Sequence, residues 1–159
     1  MMPSSPQSCS RGEPLELPAE RATTRSASPL AQRLKVGIDL VQLSRVGESM
    51  ATFGDRFLKR VFTEGEIAYA TSAPDLTPAR LAVRFAAKEA TVKALDLAER
   101  GVGWREIEVT RAPSGAPQLL LHGNARAAAE EAGAALSVSL SHEGDYATAV
   151  VISLSRENS

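Results

Sequence analysis

One long amphipathic helix is the strongest constraint on how this chain can fold. Thr77-Pro78 supplies an N-cap and a first-turn proline, and the segment ends before Gly101. Across it Leu81, Phe85, Val92 and Leu95 recur at helical spacing and are expected to face a core. The charges are patterned too. Within the run from Arg84 to Ala94, Glu89 and Lys93 stand four apart, so their side chains leave the same face. Arg84 and Lys88 repeat that spacing beside them. Such a surface is either a solvated face laced with ion pairs, or a site holding a divalent cation on Glu89 and phosphate oxygens on the cations.

Around this helix the chain reads as short elements. Lys35 to Val41 is an apolar strand with Asp39 near its end. A helix follows from about Ser44, its apolar side marked by Val46, Met50 and Phe53. Asp55 to Phe62 adds a basic amphipathic turn or two. Thr63-Glu64-Gly65-Glu66 matches a capping box for a further short helix, which Ala73-Pro74 stops. Beyond Gly101, Trp104 to Thr110 pairs with Gln118 to Leu121 across Pro113-Ser114-Gly115-Ala116. An alanine-rich helix, Asn124 to Ala132, stops at Gly133. Leu136 to His142 alternates strictly, and Glu143-Gly144-Asp145 turns it into a last strand, Tyr146 to Ser153. The order predicts an α+β domain over residues 34–155, with a mostly antiparallel sheet packed on the long central helix.

Residues 1–33 differ in kind. They are rich in Ser, Pro, Arg and Glu, and they read as a disordered extension without the apolar core of a secretory signal. The rest of the composition narrows the function classes. With 43% hydrophobic residues and a formal net charge of −1, the chain suits one globular domain and has no global attraction for nucleic acid or an anionic membrane. Aromatic residues at 4% provide no stacking platform for bases. No apolar stretch approaches the roughly 20 residues a membrane span needs. One cysteine, Cys9, cannot close an internal disulfide, and two histidines without partner cysteines exclude an ordinary structural zinc site. The expectation is a soluble, cytoplasmic domain that binds neither nucleic acid nor membrane.

Three separated motifs then fall into a recognised order. Gly37-Ile38-Asp39, the run Arg84 to Ala94, and Ser139-Leu140-Ser141-His142 with Tyr146-Ala147 resemble the holo-acyl-carrier-protein synthases, the short, single-copy 4′-phosphopantetheinyl transferases. The similarity covers roughly Lys35 to Ser153. It implies that family's fold and a Mg²⁺-dependent transfer of 4′-phosphopantetheine from coenzyme A to a serine of an apo acyl carrier protein. The products are holo-carrier protein and adenosine 3′,5′-bisphosphate. It further implies a homotrimer with interfacial active sites and a setting in fatty acid biosynthesis. By the same resemblance Asp39 and Glu89 are metal ligands and, with Lys93, catalytic. Arg84, Lys88, Lys93 and His142 contact the coenzyme. Arg45, Arg56, Lys59 and Arg60 dock the acidic recognition helix of the carrier, with Phe57 or Met50 as an apolar anchor.

Breaking a diphosphate requires mainly positioning and charge neutralisation. Mg²⁺ commonly takes one or two carboxylates alongside phosphate oxygens and waters, which Asp39 and Glu89 would satisfy. Asp39 is otherwise a turn-forming residue after a strand. As an anion it would take the serine proton directly or through a metal-bound water. Lys93 stabilises the bridging or leaving oxygen, or is simply the exposed partner of Glu89. Lys88 is either solvated or on phosphate. His142 alternates with core residues yet precedes a turn, so it is a satisfied core histidine or a coenzyme contact at the rim. His122 reads as a surface residue. One departure stands out: where the family places a Gly-Thr-Gly-like turn after Lys-Ala-Leu, this chain continues Asp96-Leu97-Ala98-Glu99-Arg100. Asp96 would repel phosphate, and the helix has room to extend to a turn at Gly101-Val102-Gly103. A non-catalytic carrier-protein-binding module that keeps the fold is the competing reading.

Overall fold

The computed structural model describes residues 32–156. The expected disordered extension lies outside them except for its last two positions, and Cys9 lies outside with it. Strand β1 (Gln32–Gln42) opens the described chain. Three helices follow, α1 (Leu43–Phe53), α2 (Asp55–Val61) and α3 (Glu64–Thr71), then the long α4 (Thr77–Leu95). Strands β2 (Ile107–Arg111) and β3 (Pro117–Leu121), helix α5 (Gly123–Glu131), and strands β4 (Ala135–Glu143) and β5 (Tyr146–Arg156) complete it. All ladders are antiparallel, in two sheets: β1-β5-β4, and the separate hairpin β2-β3. The first strand is therefore closed by the last, with Gly37 opposite Val151.

The capping box forms as expected: the Thr63 hydroxyl accepts from the Glu66 N–H, and the Glu66 carboxylate accepts from the Thr63 N–H. Thr77 takes a different part. It is the first helical residue of α4 rather than its cap, because its hydroxyl donates to the carbonyls of Ala70 and Ala73. Trp104–Glu106 is a 3₁₀ turn rather than the start of a strand, and the Glu106 carboxylate accepts from the N–H groups of Gly103 and Ala125.

Helix α4 lies on the β1-β5-β4 sheet through its smallest side chains. Ala86, Ala87, Ala90 and Ala94 are fully buried against Ala149 and Val151 of β5 and against Val109. Leu81 is buried as expected, but Phe85, Val92 and Leu95 are only half-buried. The sheet approaches closest where the helix is slimmest, so the large side chains flank the contact. Gly37 marks the tightest point: a Cβ there would lie 1.9 Å from the Ala90 carbonyl oxygen.

The end of α4 is sharp. Asp96 adopts the left-handed conformation at φ 53°, the Leu97 N–H bonds the Val92 carbonyl at 2.9 Å, and the helix does not extend toward Gly101. This is a Schellman closure with aspartate where glycine is usual, and Leu97 is buried beneath it. The Asp96 carboxylate pairs with the Lys35 ammonium.

In α1 the apolar side rotates away from the core along its length. Val46 is buried, Met50 is half-buried and Phe53 is exposed, because the helix ends at Gly54 (φ 52°) just as Phe53 turns outward. The face of the sheet opposite α4 is open. Leu34, Val36, Ile38 and Leu40 of β1 stand exposed on it, at 57–64%, beside Ile152 and Leu154 of β5. No helix among the described residues is long and apolar enough to cross a membrane.

Candidate functional site

Alternation along β1 puts Gly37, Asp39 and Val41 on the side of α4. Because Gly37 lets the strand touch the helix backbone, the Asp39 carboxylate reaches the last turns of α4. Its Oδ1 accepts from Lys93 Nζ at 2.8 Å, and Lys93 also donates to the Ile38 carbonyl at 2.9 Å. The Asp39 backbone is fixed from the other side by the Thr148 hydroxyl, which donates to its carbonyl at 2.8 Å. Glu89 sits one turn before Lys93. Burial pushes its carboxyl above the usual carboxylate range, the nearby Asp39 charge pushes the same way, and Lys93 opposes both. A cleft of about 580 Å³ opens here, lined by Asp39, Glu89, Arg45, Phe57, Phe85 and Tyr146 among others.

A second carboxylate beside Glu89, close enough for its charge to raise the Glu89 pKa, makes a locally negative site that a cation would relieve. The donor set suits Mg²⁺, a hard ion that takes one or two carboxylates and leaves positions for phosphate and water. Among the described residues no third histidine, cysteine or carboxylate joins the pair, so this is not a closed structural cage.

Arg84 leaves α4 on a different side. It lines a second cleft of about 330 Å³ with Tyr69, Arg80, Arg111, Ser141 and His142. Its Nη1 donates to the Arg80 carbonyl at 2.9 Å, while its Nε is buried without a partner. Burial pulls the guanidinium below its ordinary pKa, Glu66 and Tyr69 oppose that, and Arg111 adds to it. His142 is exposed at the rim of β4, where the half-buried series Leu136, Val138, Leu140 ends. The core-histidine alternative is thereby removed. Within one chain the expected coenzyme contacts thus divide between two clefts, Lys93 with Asp39 and Arg84 with His142.

Lys88 belongs to neither. It is fully buried, neither solvated nor on a phosphate-binding surface, and this overturns both expectations for it. Its ammonium donates to Glu66 Oε2 at 2.8 Å, to the Trp104 carbonyl at 3.0 Å and to the Ile107 carbonyl, which uses all three protons. Glu66 in turn accepts from the Val109 N–H at 3.0 Å. The pair ties α3, α4 and β2 together. Burial lowers the Lys88 pKa, and Glu66 opposes the shift. Equal spacing on the helix placed Lys88 beside Arg84, but α3 and the β2 hairpin cover that part of the surface. In sequence Glu66 was visible only as a capping residue.

Arg45 is exposed on α1 and lines the Asp39–Glu89 cleft. Arg56, Lys59 and Arg60 are exposed on α2, with Lys59 paired to Asp55 at 3.4 Å. Asp145 in the β4–β5 turn accepts from both the N–H and the hydroxyl of Ser44, which anchors the start of α1 and holds the Asp145 carboxyl below its usual range. Met50 and Phe57 are half-buried against the core, with Phe57 also lining the Asp39–Glu89 cleft, while the exposed aromatic of this region is Phe53. His122 is half-exposed and pairs with Glu108 at 2.9 Å. Sequence reasoning passed over Tyr69, Arg80 and Arg111, which come together from three elements and carry no motif.

Comparison with known proteins gives this geometry a context. A family model described as the 4′-phosphopantetheinyl transferase superfamily matches residues 35–151. The holo-[acyl-carrier-protein] synthase of Koribacter versatilis is 44% identical over 121 residues, 75% of this chain and 96% of that protein. Its counterpart from Nitratidesulfovibrio vulgaris is 47% identical over 119 residues, 74% of this chain and 94% of the relative. Among solved structures, the ACPS–CoA complex of Chronobacterium ammoniagenes superposes with a TM-score of 0.67 at 35% identity, covering 76% of this chain and 96% of that one.

Proposed function

We infer from its membership of the 4′-phosphopantetheinyl transferase superfamily, to which this chain belongs, that it is a holo-acyl-carrier-protein synthase. It transfers 4′-phosphopantetheine from coenzyme A to a serine of an apo acyl carrier protein. The observation that carries the assignment to residues is that Asp39 and Glu89 line one cleft and Lys93 is bonded to Asp39 beside it.

The serine oxygen attacks the phosphorus nearer the pantetheine arm, and the bond from that phosphorus to the bridging oxygen breaks. The electron pair leaves with adenosine 3′,5′-bisphosphate, and the serine proton passes to the anionic side of the site. Mg²⁺ held by Asp39 and Glu89 would supply neutralisation of charge on the diphosphate oxygens. Lys93 has two of its three protons on Asp39 and Ile38. Its third is directed to the bridging oxygen as charge develops there. Arg84 and His142 hold a more distant part of the coenzyme. The cleft mouth is flanked by Arg45, and the exposed cations Arg56, Lys59 and Arg60 give a near-neutral protein a basic patch for an acidic carrier. Phe53 is an exposed apolar side chain available to that partner.

The chain works as a homotrimer. Six large apolar side chains on the outer sheet face are more than a monomer of this size ordinarily leaves to water. The setting is the cytoplasm, in fatty acid biosynthesis. The non-catalytic alternative rested on Asp96, and the structure weakens it: Asp96 takes up the left-handed turn itself, and Lys35 answers its charge.

The test is to incubate the protein with apo acyl carrier protein, coenzyme A and Mg²⁺ and to read the intact mass of the carrier. A gain of one phosphopantetheine, abolished by EDTA, is expected. Coenzyme binding without transfer to any of several carriers would point to a different native carrier, whereas neither transfer nor binding would replace this reading with the non-catalytic module.

A further inference from the structure

Three guanidinium groups converge on one aromatic ring. The Cζ atoms of Arg84, Arg80 and Arg111 lie 4.2, 4.6 and 5.1 Å from the centroid of Tyr69. Arg80 and Arg84 come from successive turns of α4, Arg111 from the end of β2 and Tyr69 from α3. No carboxylate lies within ion-pair distance of the three among the described residues. Like charges this close repel, so something must hold them. Backbone acceptors do part of it: Arg80 donates to the Tyr69 carbonyl, Arg84 to the Arg80 carbonyl and Arg111 to the Gly115 carbonyl. The Ser72 hydroxyl also accepts from Arg80 at 2.8 Å, the Glu66 charge and the Tyr69 side chain favour the charged Arg84, and the ring face offers its negative quadrupole to all three cations at once.

We propose that Tyr69 is a positioning residue for coenzyme binding: its ring gathers Arg80, Arg84 and Arg111 into one preorganised cation cluster in the Arg84–His142 cleft. The proposal rests on the reading of Arg84 as a coenzyme contact. A guanidinium whose Nε is buried without a partner carries a standing desolvation cost that a bound anion relieves. Without the ring the three side chains separate, and an arriving anion must reassemble them. The loss therefore falls on coenzyme affinity rather than on the chemical step, which takes place in the other cleft. Tyr69 is itself held in register by the Lys88–Glu66 pair one turn earlier on α3.

The experiment compares Tyr69→Leu, Tyr69→Phe and Arg84→Gln in the full chain, with steady-state transfer kinetics and a thermal melt for each. Tyr69→Leu is expected to raise the KM for coenzyme A about tenfold, with kcat changed less than about twofold. Tyr69→Phe keeps the ring face and is expected to restore the KM, which a general packing defect would not predict. If Arg84→Gln raises the KM but Tyr69→Leu does not, the positioning role is refuted while the coenzyme assignment stands. If Arg84→Gln leaves the KM unchanged, the assignment beneath it has failed. A Tyr69→Phe variant as impaired as Tyr69→Leu would move the effect to the hydroxyl and overturn the ring argument.

Discussion

Gly37→Ala is the smallest change expected to disable this protein, and its size can be worked from the structure. The added Cβ would sit 1.9 Å from the Ala90 carbonyl oxygen and 2.8 Å from the Ala94 nitrogen. To reach even 3.0 Å from that oxygen, β1 must retreat from α4 by about 1.1 Å. Both obstacles are backbone atoms, so no rotamer change and no Ala90→Gly replacement relieves them. Overpacking of this kind costs about 2–3 kcal/mol, which for a domain of this length lowers Tm by roughly 6–15 °C. The functional cost is larger in proportion. Asp39 is two residues along the same strand, on the same face, and its 2.8 Å bond to Lys93 lengthens as the strand withdraws. A displacement near 1 Å in a catalytic constellation costs on the order of 100-fold in rate. Differential scanning calorimetry and the carrier mass-gain assay, run below the lowered Tm, measure the two effects separately. A Gly37→Ala protein with unchanged Tm and kcat would refute the close-approach argument.

Glu89→Gln should remove most Mg²⁺-dependent transfer, and in metal-free buffer it should also raise stability at neutral pH. The Glu89 pKa is raised on folding, so between its unfolded and folded values the native state binds more protons, and the Glu89 contribution to stability falls as pH rises through that window. The gain of the variant should therefore vanish below about pH 4, where both states are protonated; urea titrations at two pH values decide it. Lys88→Met leaves the Glu66 carboxylate buried without its cation and the carbonyls of Trp104 and Ile107 without a donor, at a cost of about 3–5 kcal/mol. Adding Glu66→Gln should recover part of that loss in a double-mutant cycle, and simple additivity would show the pair to be uncoupled. Asp96→Gly should stabilise by about 0.5–1 kcal/mol through the left-handed position, since the exposed pair with Lys35 is worth little; a drop in Tm would mean that ion pair carries more than its exposure indicates. Val36→Glu places a charge on the open sheet face and should convert a trimer to monomer in light scattering, whereas an unchanged mass would remove this face as the interface.

How much of this was readable in order along the chain can be judged residue by residue. The capping box at Thr63, the proline start of α4, the antiparallel hairpins and the α+β class were all legible, because each depends on neighbours within a few positions. So was the association of Asp39, Glu89 and Lys93, though only through the family resemblance, since nothing local to Asp39 points to a residue 50 positions away. Lys88 shows the limit. Its spacing from Arg84 equals that of Glu89 from Lys93, and helical periodicity cannot tell a face that meets water from one that α3 and β2 cover.

Most of the elements, their order, the chemistry of the side chains and, through the resemblance, the family were legible along the chain. Local spacing and backbone preference act over a few residues and survive without a tertiary context. Tertiary structure decided which cations are free. It buried Lys88 on Glu66, stacked Arg80, Arg84 and Arg111 on Tyr69, turned Phe53 outward and Phe57 inward, and drew Asp39 onto Lys93 through the missing side chain of Gly37. Each of these follows from where distant segments pack, and packing is set by the shape of the whole core.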